Sequence, residues 1–248
     1  MKLILWDFDG TLAFRKGMWS GALAEVARSY VPGCSAVRED FAPHLQSGFP
    51  WHSPQVPHTH ITSGEQWWHE LSPVLGAALA AVATIPLAHA KQLVPRVRET
   101  YLDSRHWRLF EDVVPCLQAL TRNGWSHVVL SNHVPELPSL VESLGLGSYV
   151  AATFTSALLG YEKPHPQSFR AVLSAFPAAR AVMVGDNYFA DIQGAQACGL
   201  SAILVRKACV HAPTFHDSLA TLPEQLAGVQ PVVAPDLRLP ASPSATGG

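Results

Sequence analysis

Residues 3–12 read LILWDFDGTL, an apolar run that ends in two carboxylates, Asp7 and Asp9, and continues into Gly10 and Thr11. Apolar residues in succession, without alternation, suit a strand buried on both faces, the habit of a parallel sheet. Charge is scarce in this chain, at 15% of residues against the roughly 25% usual in soluble domains. Two acids at the mouth of a buried strand therefore need a reason. In an open parallel sheet, ligands bind beyond the carboxyl ends of the strands, so the residues just past each of the remaining strands become candidates for the same site.

Residues 128–130, 150–154, 181–184 and 202–205 are further short apolar runs, separated by helical patterns at 135–144, 164–176 and 188–198. Prolines stand near two of the helix starts, and Gly145 and Gly199 stand just past two of the ends, the expected asymmetry. Strand and helix in alternation predict an α/β domain built on a Rossmann-like parallel sheet. Polar residues come after the strands in turn: Ser131-Asn132-His133, then Gly160-Tyr161-Glu162-Lys163-Pro164, then Gly185-Asp186-Asn187 with Asp191 five residues past Asp186. Each set alone is an ordinary turn or cap. Their conjunction at successive strand ends points to one site.

About a hundred residues separate the first two strands, and their pattern is helical at 18–30, 66–83 and 86–102. Between the first two helices lies FPWHSPQVPHTHITSGEQWW, rich in Pro, His and Trp. The predicted organisation is a catalytic core at 1–14 and 108–228, a helical insertion at 15–107, and a Pro-, Ala- and Ser-rich loose tail at 229–248. His52, His58 and His60 crowd one stretch but lack the Cys or acidic partners at helical spacing that a zinc site uses. Trp51, Trp67 and Trp68 read as cap core or lid surface.

At 248 residues and 48% hydrophobic content the chain can bury a real core. With a formal net charge of −2 and no Lys/Arg run, it offers no basic face for nucleic acid or an anionic membrane. Cysteines 34, 116, 198 and 209 are scattered and read as reduced thiols, which favours a cytoplasmic protein. The N-terminus is too short and polar for a signal peptide. The Ala-rich stretch at 75–90 is interrupted by Thr84, Pro86 and His89 and falls short of the roughly 20 apolar residues of a membrane span. The expectation is a soluble protein.

The segments DFDGT at 7–11, SN at 131–132, Lys163 ahead of a helix and GDNYFAD at 185–191 resemble the four motifs of the haloacid dehalogenase superfamily of hydrolases. Residues 15–107 occupy the position of that family's helical cap, and the resemblance covers nearly all of residues 1–228. It implies that Asp7 is a nucleophile that forms an aspartyl-phosphate. Asp9 would be the general acid and base, its pKa raised by neighbouring carboxylates and exclusion of water. Gly10 would allow a sharp turn close to the phosphate, with the Thr11 hydroxyl fixing that turn. Lys163 would pair with Asp7 and the phosphate, while Ser131 and the Asn132 backbone hold the phosphoryl oxygens. Asp7, Asp186 and the Asp9 backbone carbonyl would ligate Mg²⁺, a hard cation suited to oxygen donors. Asp191 would stand behind them, orienting bound water or Lys163.

The implied activity is a Mg²⁺-dependent phosphatase of small phosphorylated metabolites. A phosphomutase uses the same parts, and a phosphonate hydrolase adds a cap lysine, for which Lys16 and Lys91 qualify by type. A phosphoryl-accepting regulatory protein also combines paired acids with a lysine, but without the inserted helices or the Asp9-Gly10-Thr11 continuation. The dehalogenases that name the family lack the second acid, so Asp9 favours phosphoryl chemistry. Phe14, Arg15, Trp51 and His52 are the cap residues expected nearest the leaving group.

Overall fold

The apolar run at the N-terminus becomes the middle of the sheet. In the computed structural model, which describes residues 1–212 and 215–227, the strands are β1 (Lys2–Trp6), β2 (Ala13–Arg15), β3 (Trp107–Leu109), β4 (Trp125–Ser131), β5 (Val150–Thr155), β6 (Arg180–Gly185) and β7 (Ser201–Leu204). Five of them form one parallel sheet in the order β5-β4-β1-β6-β7. Alternate residues of β1 serve opposite faces. Leu3 and Leu5 pack with Val128, Leu130, Met183 and Phe169, whereas Ile4 and Trp6 join Val129, Val184, Leu117 and Leu120. Each such side chain contributes about 1.5–3 kcal/mol by leaving water. The edge strand β5 departs from the two-sided burial expected of it, with only Thr155 fully buried, because an edge has a neighbour on one side alone.

One polar group sits inside this core and is fully bonded. The Trp6 indole donates to His127 Nδ1 at 3.1 Å, and His127 Nε2 lies 3.1 Å from Thr121 Oγ1, which itself donates to the Leu117 carbonyl. Nδ1 therefore accepts and Nε2 carries the proton. Burial pushes the imidazole down to about 4, so it is neutral at physiological pH.

After β1 the chain leaves through β2 and returns through β3. These pair antiparallel, with Ala13 opposite Leu109 and Arg15 opposite Trp107. Three-residue strands carry too little pattern to be read from sequence. The long helices between them are Met18–Tyr30, Gly64–Ala83 and Leu87–Leu102. Ser63 caps the second through its hydroxyl, which accepts from Gln66 N, and Thr84 ends it in a left-handed conformation at φ 53°. Trp19, Trp67, Trp68 and Tyr101 fill the space among these helices.

Polar contacts tie the helical region to the sheet domain, among them the His58 backbone N–H, which donates to the Gly160 carbonyl at 2.9 Å. Buried His58 bonds Glu162 at 3.0 Å, next to Lys163 in the chain, and Glu136 accepts from Trp68 Nε1 at 3.0 Å and Arg98 Nε at 2.9 Å. Among the described residues no single helix is long and apolar enough to cross a membrane; Gly64–Ala83 and Leu87–Leu102, which reach that test only together, are bent by 115°. All four cysteines are free. The tail expected at 229–248 lies outside the described residues.

Candidate active site

Asp7 comes directly after β1, and its N–H still donates to the Val184 carbonyl at 2.9 Å, so the sheet holds its backbone. The chain then folds back on a single oxygen. The Phe8 carbonyl accepts from Thr11, Leu12 and Ala13, while Gly10 takes φ 78°. A β-carbon at Gly10 would fall 2.5 Å from Asp186 Oδ2. Glycine is needed there both for the turn and for the approach of Asp186.

Around Asp7 the strand ends deliver a connected set of side chains. Ser131 Oγ donates to Asp7 Oδ1 at 2.8 Å, and Lys163 Nζ donates to the same oxygen at 2.7 Å and to Asp191 Oδ1 at 2.6 Å. The Asn132 side chain clamps the Lys163 backbone, donating to its carbonyl at 2.9 Å and accepting from its N–H at 2.7 Å. Asp191 reaches this position because residues Tyr188–Gln193 form a wide π-helical turn, capped by the Asn187 side chain, that lays its carboxylate against Gly185. Its second oxygen accepts from Asn187 N at 3.0 Å.

The electrostatics leave an acidic surplus. Burial alone would lower the Lys163 pKa, but Asp191 and Asp7 outweigh it and hold the ammonium above its ordinary range. Burial, then Asp7 and Asp186, raise Asp9 well above an ordinary carboxylate. Burial and Asp7 push Asp186 up to about 6. One oxygen from each of Asp7, Asp186 and Asp191 falls within 4.8 Å of the others, the one His/Cys/Asp/Glu group among the described residues that is tight enough for a metal ion. Hard oxygen donors short of positive charge fit a divalent cation. Asp191 already uses both oxygens, so Asp7 and Asp186 are the carboxylates better placed to bind it.

Asp7, Asp9, Ser131, Asn132, Lys163, Asp186 and Asp191 all line one cavity of about 430 Å³. Gly10 and Thr11 do not line it. The Thr11 hydroxyl, expected to fix the turn, is buried without a partner; the Phe8 carbonyl does that work, and the Thr11 carbonyl accepts from Arg206 at 3.0 Å. Of the four cap residues expected near the leaving group, Trp51 alone lines the cavity. Phe14 is exposed and packs on Phe110, His52 lies edge-on to Phe49, and Arg15 is buried with its guanidinium on the Met18 and Thr100 carbonyls. Lys16 and Lys91 do not line it. His58 and His60 bond Glu162 and Glu70 separately.

Sequence reading placed His133 in the strand-end set without a role and missed Met18, Trp19 and Tyr101 of the cap wall. The His133 ring lies 3.7 Å from the Asp9 carboxylate, edge-on to Phe8, with both nitrogens unpartnered, and burial pushes it down to about 4. Its place immediately after Ser131-Asn132 was the available signal. Met18, Trp19 and Tyr101 complete the cavity from the helices, and nothing local in the sequence marks them.

Comparison with known proteins places this geometry. A family model described as haloacid dehalogenase-like hydrolase matches residues 1–199. The chain is 28% identical over 229 residues to the human haloacid dehalogenase-like hydrolase domain-containing protein 3, covering 88% of this chain and 87% of that protein. It is 29% identical to a phosphoserine phosphatase of Thermus thermophilus over 83% of this chain and 88% of the relative. A crystal structure of 2-haloacid dehalogenase from Pseudomonas syringae pv. Tomato superposes with a TM-score of 0.66 at 28% identity, covering 92% of this chain and 98% of that one. With a match over four fifths of its length and an acid-lysine cluster at the sheet edge, this chain belongs to the haloacid dehalogenase-like hydrolases.

Proposed function

We propose that the protein is a Mg²⁺-dependent phosphatase of small phosphomonoesters that works through an aspartyl-phosphate on Asp7. The observation that carries this reading is the second acid: Asp9 lines the same cavity as Asp7, and burial and its acidic neighbours favour its protonated form. A carboxyl that holds a proton near neutrality can deliver it to a departing alkoxide.

Ser131 and Lys163 both bind Asp7 Oδ1, which leaves Oδ2 to attack phosphorus. The Asp7–phosphorus bond forms as the ester P–O bond breaks, and Asp9 passes its proton to the leaving oxygen. Water then attacks phosphorus, Asp9 takes its proton, and cleavage of the acyl phosphate returns Asp7 as carboxylate with release of inorganic phosphate. Lys163, the Ser131 hydroxyl and the Asn132 backbone N–H stabilise the charge on the phosphoryl oxygens. Asp191 holds Lys163 in place. The Asp7 and Asp186 carboxylates and the Asp9 backbone carbonyl would hold the cation, which when bound offsets the negative charge of acids and phosphate.

Release of phosphate from p-nitrophenyl phosphate, dependent on Mg²⁺, abolished by chelation and lost in Asp7→Asn, supports this reading. Metal-independent turnover of 2-chloropropionate with no phosphate release would instead place the protein with the dehalogenases.

A further inference from the structure

The cavity that holds the acids has a second half of different chemistry. Its cap side is formed by Met18, Trp19, Trp51, Pro54 and Tyr101. Trp19 stacks on Tyr101 at 4.0 Å and 12°, and Trp51 lies 6.3 Å from Trp19, tilted by 32°. A strained turn sets this wall. Met18 adopts φ 44° directly after Gly17 at φ 78°, and the buried Arg15 guanidinium holds the Lys16 and Met18 carbonyls.

Charge on the lining is one-sided. Lys163 is the single Lys or Arg among the described residues that line the cavity, and it is already bonded to Asp7 and Asp191. The nearby cap cation, Arg15, is committed to backbone carbonyls and to Glu25 at 3.7 Å. On the lining, a leaving group with its own carboxylate or second phosphate would meet four aspartates and no uncommitted cation; Lys207, which acts on Asp186, lies outside that lining. Burying such a charge unpaired is strongly unfavourable. A flat apolar group would instead bury its area against indole and phenol rings.

Resting on the phosphatase reading above, we infer that the substrate is a monophosphate ester whose leaving alcohol bears no anionic group and carries a flat apolar or aromatic face. The named substrate of the phosphoserine phosphatase relative carries a carboxylate on its leaving alcohol, for which this lining offers no uncommitted cation.

The test compares kcat/KM for 3-phenylpropyl phosphate and 4-(phosphonooxy)butanoate, whose ester oxygens are each three methylenes from the distinguishing group and so leave with similar ease. The expected preference for the phenyl ester is about 10–100-fold, the range a complementary apolar pocket supplies. Trp51→Arg, which adds a cation to the wall, is expected to narrow that preference at least about tenfold. Equal or better turnover of the carboxylate by the wild-type enzyme overturns the inference while leaving the phosphatase reading intact. Failure to release phosphate from either ester, or from p-nitrophenyl phosphate, overturns both.

Discussion

The two walls of the cavity are built on opposite principles. The sheet edge is a polar lattice in which Asp7, Ser131, Lys163, Asp191 and Asn132 fix one another at 2.6–2.9 Å. The helical wall is aromatic, held by ring contacts such as Trp19 on Tyr101 and Trp51 on Phe49. Directional bonds to buried charge tolerate little displacement, whereas ring packing resists mainly through lost area. The lattice suits bond-making at phosphorus, and the rings suit a choice among leaving groups. Perturbing each wall separately breaks or sharpens that division.

The largest effect belongs to the lattice. Asp7→Asn keeps the side-chain volume and an oxygen for Ser131 but removes the carboxylate proposed to attack phosphorus, and kcat is expected to fall by about 10³-fold or more. Steady-state phosphate release checks this. A loss below tenfold would detach the lattice from the chemistry.

Asp9→Asn comes next. It removes a transferable proton and leaves the backbone carbonyl, so turnover should drop roughly a hundredfold while Mg²⁺ affinity, measured calorimetrically, stays within about threefold. A collapse of affinity with rate preserved would reverse the roles assigned to the two acids.

Much of the lattice was legible in the sequence because its members sit at strand ends, and buried strands announce themselves as apolar runs. Residues 3–6 and 181–184 fall within β1 and β6, each observed strand extending one residue or more beyond the expected run. The short run at 128–130 marked a strand that in fact begins at Trp125 and ends at Ser131, since His127 and Ser126 break the apolar pattern although His127 is buried. What the sequence hid depends on long-range packing. His133 is enclosed by Phe8, Tyr101 and Trp107, three residues from separate parts of the chain. Arg15 looked like a ligand for the leaving group, yet its guanidinium supports the backbone that carries Met18. No spacing rule distinguishes those uses of an arginine.

The lattice also rests on β4, and β4 is anchored by His127, which gives a pH arm to the comparison. The folded-state pKa of about 4 lies below the unfolded value of ~6.5. Between those values the unfolded chain binds a proton that the folded chain does not, so this contribution to stability is fully present above pH 6.5 and falls as pH drops toward 4. From pH 7 to pH 5 the loss is about 2 kcal/mol. His127→Gln keeps an acceptor for the Trp6 indole and removes the titration. Urea midpoints at the two pH values should therefore move less in the variant than in the wild type. The carboxylates and His133 contribute to both proteins, so the difference between the two shifts reports His127, and equal shifts would refute the buried neutral imidazole.

The smallest effect tests the aromatic wall. Trp51 is half-buried, stacked on Phe49 at 4.6 Å and 21°, and touches none of the lattice bonds. Trp51→Ala therefore removes contact area for the leaving group while Phe49 and Trp19 still close the helical core. The expected outcome is a rise in KM for 3-phenylpropyl phosphate of about three- to tenfold, the worth of roughly one lost aromatic contact. Because that contact is the same in ground and transition states, kcat should stay within about twofold. Inorganic phosphate, which has no leaving group, should inhibit variant and wild type alike. A change in kcat as large as the change in KM would mean that the wall also orients the ester for attack, and the division between lattice and rings would then have to be redrawn at Trp51.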